Sequence, residues 1–299
     1  MLSSKIIAFL VAASDWVLGG LISNGFIVAV MVTEWAQSKS LATCEQLLLS
    51  LGTSNIFATA CEIAVITNFL ITNSSNGLVF QTFYFFATFV SYTRFCFTAW
   101  LCVFYCIKIV NSTQTLFLWC KLRISQLLPW LLVGSQVFSV FVSLITIPHI
   151  SFQLQSNIAT NTSNVTQGKK ATQLSRSLQA FFLMTASGCP LLVVLLCSIV
   201  IVASLYTHVC KMTGKGASLR SLQTKAHVRA AGTVLSLLIV YIFFYVAHSI
   251  IVLENIERIT SVYSVCLSVI LMYSPAQGAI LLLANPKLKQ AARQMLLKT

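Results

Sequence analysis

The sequence has very few charged residues, and acidic residues are the rarest of them. Only 8% of the 299 residues are charged, and six residues are Asp or Glu against 19 Lys and Arg. Because a typical soluble domain carries about 25% charged residues, this composition excludes a soluble globular protein. Hydrophobic residues make up 57% of the chain and the mean hydropathy is +0.87. Both values indicate an integral membrane protein.

Residue patterns that carry catalysis or bind metals are also missing. The histidines are scattered along the chain, and no nucleophile and base are expected at one level of the membrane, which disfavours an intramembrane enzyme. They are His149, His208, His227 and His248. No pair among the ten cysteines has the spacing of metal ligands. We therefore predict no catalytic residue, no metal and no cofactor.

Two further absences disfavour transporters and channels. The sequence shows no internal repeat, whereas many transporters are built from repeats and broken helices. It also lacks the ring of charges or the filter loop that an ion channel needs. The sequence therefore favours neither class.

Seven apolar runs are long enough to cross a membrane, which takes roughly 20 helical residues. The runs are continuous, whereas the strands of a membrane β-barrel alternate in polarity over about ten residues. We predict an all-α membrane protein, a seven-helix bundle that forms a single domain over residues 1–299. The predicted spans are 6–32, 47–70, 80–107, 127–149, 181–206, 230–253 and 262–284.

The positions of Lys and Arg predict the orientation of the bundle. One side has the basic segment 211–229 and three other basic ends, whose residues are Lys39, Lys108, Lys121, Arg123, Lys287, Lys289, Arg293 and Lys298. The other side has Lys5, Lys169, Lys170, Arg176 and Arg258. The positive-inside rule then places the N-terminus outside and the C-terminus in the cytosol. Because the cations are spread over short loops beside spans, we predict no nucleic-acid partner.

Glycosylation sequons agree with this orientation. Asn161 and Asn164 lie in the polar segment 151–179, the longest predicted outer loop, and we expect a glycan on one of them. Asn73 is also predicted outside, although close to the membrane. Asn111 is predicted on the cytosolic side and should carry no glycan.

The marks of rhodopsin-like receptors are missing from the chain. The third span ends in FYCIKIVNST instead of Asp-Arg-Tyr, and the seventh reads YSPAQGAILLLANPKLKQ without Asn-Pro-x-x-Tyr. No cysteine lies in segment 151–179, so a disulfide from the third helix to this loop cannot form.

Five segments in the same order resemble those of the type 2 taste receptors, the bitter receptors. They are SNGFIVAV, FYCIKIVNST, SLYTHVCKM, QTKAHVRA and LLLANPKLKQ. The missing disulfide and the sequons of the second outer loop match that family too. A vomeronasal type 1 receptor is the alternative of nearest architecture, but SLYTHVCKM and KAHVRA point away from it. A small membrane transporter is a more distant alternative.

The resemblance implies a receptor of the plasma membrane, with no catalysis of its own, that binds small bitter compounds in the outer half of the bundle. It would activate a heterotrimeric G protein of the gustducin and inhibitory type. The basic segment 211–229 suits an acidic partner, although positive-inside charge and attraction to anionic membrane lipid account for part of it. The candidate coupling residues are Tyr105, Lys108, His208, Lys211, Lys225, His227 and Arg229.

A polar network is predicted in the core of the bundle. Members of the resembled family usually carry an Arg after a Ser in the second helix, where this chain has Asn55. The third helix instead has Arg94, which is costly in a membrane and needs polar partners. We infer that the cation has moved between helices and lies near Asn24 and Asn55. The alternative is that Arg94 only holds the helices together and has no role in signalling.

Glu62 lies two helical turns outward of Asn55, on the same face. Three interpretations remain open from the sequence. Its carboxylate could pair with Arg94, hold a cationic ligand, or face lipid or water.

The predicted pocket lies between the outer halves of the helices. On the sixth helix, Tyr241, Phe244, Tyr245 and His248 form one face at three- and four-residue steps, a pattern that helix packing also produces. Ala87 and Ser91 occupy positions where the resembled family often has Trp and Asn, so the ligand range should differ. With Glu62 and Leu267, these are the candidate ligand-binding residues.

Overall fold

The computed structural model describes residues 4–72, 78–110, 115–159, 165–212, 220–253 and 261–297. These ranges contain eight helices, and seven of them are long and apolar enough to cross a membrane. The predicted seven-helix fold is confirmed, whereas the side on which each terminus lies stays a prediction. The helices are α1 Ser4–Ser38, α2 Thr43–Thr72, α3 Leu78–Ile109, α4 Thr115–Ala159, α5 Val165–Met212, α6 Arg220–Leu253, α7 Ser261–Ala284 and α8 Pro286–Leu296.

The helices extend well beyond the apolar runs. Segments 151–179 and 211–229, predicted as loops, are helical wherever the structure describes them. The prediction of long loops was wrong because an apolar run marks the part of a helix that crosses hydrocarbon, and polar residues continue the same backbone hydrogen bonds beyond it. The four sequon positions, Asn73, Asn111, Asn161 and Asn164, lie outside the described residues.

Helix α3 is the central element of the bundle. In an apolar 18-residue window of its span 72% of the residues are buried, compared with between 22% and 39% in the corresponding windows of the other six spans. It packs against α2, α4, α5 and α6, while α1 packs against α2 and α7. A side chain of α3 therefore has neighbours on every side, which makes this helix the natural position for a buried polar residue.

Helices α1 and α7 approach closely through small residues. A Cβ atom at Gly278 would lie 2.5 Å from Ser23 Oγ, and one at Gly20 would lie 3.4 Å from Ser274 Cβ. Small residues at helix interfaces in membranes allow the backbones to come this near. As a result, Asn24 of α1 lies within hydrogen-bonding distance of the α7 backbone.

A short helix that the sequence analysis did not identify follows α7. Asn285 caps α8, because its side chain accepts from the backbone N–H groups of Lys287 and Leu288, and Pro286 occupies the first turn. Leu288 is fully buried, and the Lys287 ammonium contacts Glu34 of α1 and Glu45 of α2. Helix α8 is thus fastened to the end of α1 and the start of α2.

Candidate ligand-binding site

A cavity of about 170 Å³ lies between α2, α3, α5, α6 and α7. Its walls are mostly aliphatic and aromatic, with a few polar groups, as in typical small-molecule sites. Six of the eight predicted ligand-binding residues line it. They are Glu62, Ala87, Ser91, Phe244, His248 and Leu267.

Two predicted residues of α6 do not line the cavity. Tyr241 is fully buried, its ring stacks on Phe95 at 4.9 Å between centroids, and its hydroxyl donates to the carbonyl of Ser187 at 2.9 Å. The hydroxyl of Tyr245 faces Gly188 of α5, where an added Cβ would lie 3.4 Å away. For both tyrosines the structure favours the packing alternative.

The sequence analysis missed most of the α3 lining. Tyr84, Thr88, Tyr92 and Phe95 line the cavity at steps of three and four residues from one another. Because α3 is apolar on all sides, no stripe of hydrophobic residues distinguishes this face in the sequence. The spacing from Ser91 was the one signal that could have identified these positions.

An ion pair adjoins the cavity. Arg94 Nη2 donates to Glu62 Oε1 at 2.7 Å, and the two side chains are 0% and 12% exposed. Arg94 Nη1 donates to Ser274 Oγ at 3.3 Å. Of the three interpretations of Glu62, the structure shows the contact with Arg94.

Aromatic rings surround the guanidinium of Arg94. Its Cζ atom lies 4.9 Å from the ring centroid of Tyr273, 5.5 Å from that of Phe244 and 5.6 Å from that of Phe95. Cations at such distances are attracted by the ring faces, most strongly where water is excluded. The rings and Glu62 together compensate a charge that would otherwise be costly in a membrane.

A network of uncharged side chains lies beside this pair. Asn55 Nδ2 donates to Asn24 Oδ1 at 2.9 Å and to Gln277 Oε1 at 2.8 Å. Asn24 Nδ2 donates to the carbonyl of Ser274 at 3.1 Å. Arg94 hydrogen-bonds neither asparagine, and Ser274 is the residue that links it to them.

The network continues from α7 into α3. Gln277 Nε2 donates to Thr98 Oγ1 at 2.8 Å and to Tyr273 Oη at 3.2 Å. The sequence analysis did not identify Gln277 or Ser274 as members. Gln277 has the one amide side chain of α7, and that was a signal that could have identified it, whereas Ser274 is one of several serines in the helix.

Comparison with known proteins identifies the family of the chain. The sequence model described as Taste receptor protein (TAS2R) matches residues 1–299. The chain belongs to the type 2 taste receptor family. Among the relatives of this taste receptor, taste receptor type 2 member 39 of Macaca mulatta is 32% identical over 93% of this chain and 83% of its own. Member 1 of Chlorocebus aethiops is 30% identical over 99% and 98%. Member 40 of Gallus gallus is 29% identical over 93% and 90%.

Family membership confirms the resemblance and the class of activity. This taste receptor is a G-protein-coupled receptor for bitter small molecules and a multi-pass protein of the plasma membrane, and it is not an enzyme. The vomeronasal and transporter alternatives have no support from these comparisons.

The candidate coupling residues of the taste receptor lie at the helix ends on the α8 side of the bundle. Lys108 is exposed near the end of α3, with its ammonium 5.0 Å from the ring centroid of Phe104, and Tyr105 is half-buried. On α6, Arg229 is exposed and His227 is half-buried. The side chains of His208, Lys211 and Lys225 lie outside the described part of the chain.

Proposed function

We propose that this taste receptor detects bitter compounds in the cavity between α2, α3, α5, α6 and α7. The observation that carries the proposal is the composition of the cavity wall, which is apolar with a few polar groups such as Ser91 and His248. A volume of about 170 Å³ suits a compact ligand. Ligand bound here would contact α3 and α6 together, the two helices whose other ends carry candidate coupling residues.

We propose further that the α8 side of the bundle faces the cytosol and activates a G protein of the gustducin and inhibitory type. Support comes from the basic residues at this side, among them the exposed Lys108 and Arg229. Positive charge attracts acidic protein surfaces, and it also holds the bundle against anionic lipid headgroups.

Cells that express the receptor with a matching G protein test the ligand site. We expect calcium release on adding bitter compounds from a panel. Ala87→Phe fills the cavity and should raise the effective concentration of every active compound at least tenfold. Phe86→Trp is the matched control, because Phe86 is an exposed neighbour on the outer face of α3. Equal responses of Ala87→Phe and the unchanged receptor, at matched surface expression, would place the ligand elsewhere.

Glycosidase digestion tests the orientation. We expect a glycan on Asn161 or Asn164. The change in gel mobility on digestion should therefore become smaller when the glycosylated asparagine, or both asparagines, are changed to Gln. Asn111→Gln is the control and should behave like the unchanged receptor. A loss of the shift in Asn111→Gln alone would reverse the proposed orientation.

A further inference from the structure

We propose that the cavity selects uncharged ligands, because Arg94 and Glu62 neutralise each other beside it. This inference rests on the proposed ligand site and names the chemical class that the site accepts. It differs from the sequence-based alternative that Glu62 holds a cationic ligand.

The charges around the cavity are few and already paired. Among the described residues that line it, Glu62 is the one carboxylate, and none is Lys or Arg. The carboxylate accepts a hydrogen bond from Arg94 at 2.7 Å. A ligand in the cavity therefore meets a neutral pair instead of a free negative charge.

Arg94 is held so firmly that a ligand cannot readily replace it. Its guanidinium donates to Ser274 and lies over the rings of Tyr273, Phe244 and Phe95, and the side chain is 0% exposed. An ammonium group at Glu62 would share the carboxylate with this fixed cation and be repelled by it. An anionic ligand would be repelled by Glu62 in the same way.

Uncharged hydrogen-bonding groups remain available in the lining. The hydroxyl of Tyr92 and Nδ1 of His248 are buried and have no hydrogen-bond partner among the described residues. Asn55 Oδ1 and Arg94 Nε are in the same situation, but neither residue lines the cavity. Tyr92 is 2% exposed, and the imidazole of His248 is oriented by stacking on Phe244, with 5.6 Å between centroids. Buried polar atoms without partners are rare and need an explanation. A ligand with a donor and an acceptor, such as an amide on an apolar ring, would satisfy both.

Three probes of equal size separate the charge classes. Benzamide is uncharged, benzamidine is a cation and benzoate is an anion on the same ring. Each is added to the purified full-length receptor, and the rise in its unfolding temperature reports binding. We expect benzamide to bind at least tenfold more tightly than the other two. Benzamidine binding as tightly as benzamide would overturn the inference.

Variants of the pair should change the relative affinities of the probes. Arg94→Met leaves Glu62 unpaired, so benzamidine should gain at least tenfold relative to benzamide. Glu62→Gln leaves Arg94 unpaired, so benzoate should gain about threefold or more on the same scale. The double variant has no charge at either position, and its preference for benzamide should match that of the unchanged receptor. Each change in affinity relative to benzamide is a readout that a merely structural role of the pair would not produce.

The variants decide the inference in every case. Without a gain of benzamidine in Arg94→Met, the inference is wrong, even if no probe binds the unchanged receptor detectably. If Arg94→Met does not fold, the benzoate gain in Glu62→Gln decides instead. Failure of the proposed function is recognised separately. It would appear as normal calcium responses in Ala87→Phe, whatever the order of the three probes.

Discussion

The described part of the chain contains two clusters in which a cation meets carboxylates, and they differ in burial. Arg94 and Glu62 are 0% and 12% exposed, whereas Lys287 is 54% exposed and its partners Glu34 and Glu45 are 38% and 10% exposed. The shortest N···O distance is 2.7 Å in both clusters. Along α2 the two glutamates are about 26 Å apart. Neither distance nor burial of the closest carboxylate distinguishes the clusters, but the access of water to the cation does.

Access to water decides what remains when a pair is broken. In the core, Glu62 stays desolvated and uncompensated when its partner is lost. At the helix ends, Glu34 is partly exposed to water and Glu45 keeps a hydrogen bond from the backbone N–H of Ala42. The amide oxygens of Asn24 and Gln277 in the neighbouring network already accept from Asn55, which leaves them occupied when the buried pair is broken. We therefore expect substitutions to reduce the free energy of unfolding most in the buried pair, less in the uncharged network and least in the surface cluster.

The largest effect should follow from Arg94→Met. The substitution leaves the Glu62 carboxylate without its partner in a medium that excludes water, so we expect a loss of about 3–5 kcal/mol in the free energy of unfolding. Thermal unfolding of the purified receptor in micelles measures it, and surface expression in cells should fall in parallel. Adding Glu62→Gln should recover most of the loss, because no uncompensated charge remains. A double variant no more stable than Arg94→Met would show that Glu62 is not the partner that matters.

Asn55→Leu should have an intermediate effect. It removes the donor of Asn24 Oδ1 and Gln277 Oε1 and leaves both acceptors buried, which costs about 1–3 kcal/mol of unfolding free energy. Ser54→Ala is the matched control, because the hydroxyl of Ser54 bonds only within its own helix, to the carbonyl of Ser50. Unfolding in the same micelles should rank the two variants clearly. If Ser54→Ala is as destabilising as Asn55→Leu, the connection between helices is not what stabilises this region.

The fold could largely be predicted from the sequence, because the thickness of the hydrocarbon core sets the length of a membrane span and its polarity requires apolar side chains. The lengths of α4 and α5 could not, since their outer turns are polar and carry no apolar signal. Helix α8 was missed for the same reason. Five of its 11 residues are Lys, Arg or Gln, and the capping pair Asn285 and Pro286 was the one local signal for it.

Part of the cavity lining could be predicted from the sequence, but the contacts between its side chains could not. Helical spacing identified Phe244 and His248, which both line the cavity. Arg94 was expected near Asn24 and Asn55, with Glu62 as one possible partner, and its long side chain reaches Glu62 and Ser274. Choices of this kind depend on helix rotation and on the reach of flexible side chains. A sequence alone does not contain either quantity explicitly.

Breaking the cluster of Lys287, Glu34 and Glu45 should have the smallest effect on the free energy of unfolding, and this effect should depend on the salt concentration. Lys287→Met removes contacts to Glu34 and Glu45, but exposed pairs contribute only about 0–1 kcal/mol, and that contribution should fall between low salt and 1 M salt. Lys289→Met is the control, because Lys289 is an exposed lysine of the same helix for which the structure describes no ion pair.

The dependence of this cluster on pH sharpens the contrast with the buried pair. Hydrogen bonds to Glu45 and then Glu34 raise the pKa of Lys287 above its usual value of 10.5. A raised pKa in the folded state means that the stabilisation is complete below pH 10.5 and is lost as the pH rises through the folded value. Between pH 6 and 9 the difference in unfolding temperature between Lys287→Met and the unchanged receptor should thus stay constant. A difference that changed within this window, while Lys289→Met showed none, would mean that a group other than the Lys287 ammonium controls how α8 is fastened to α1 and α2.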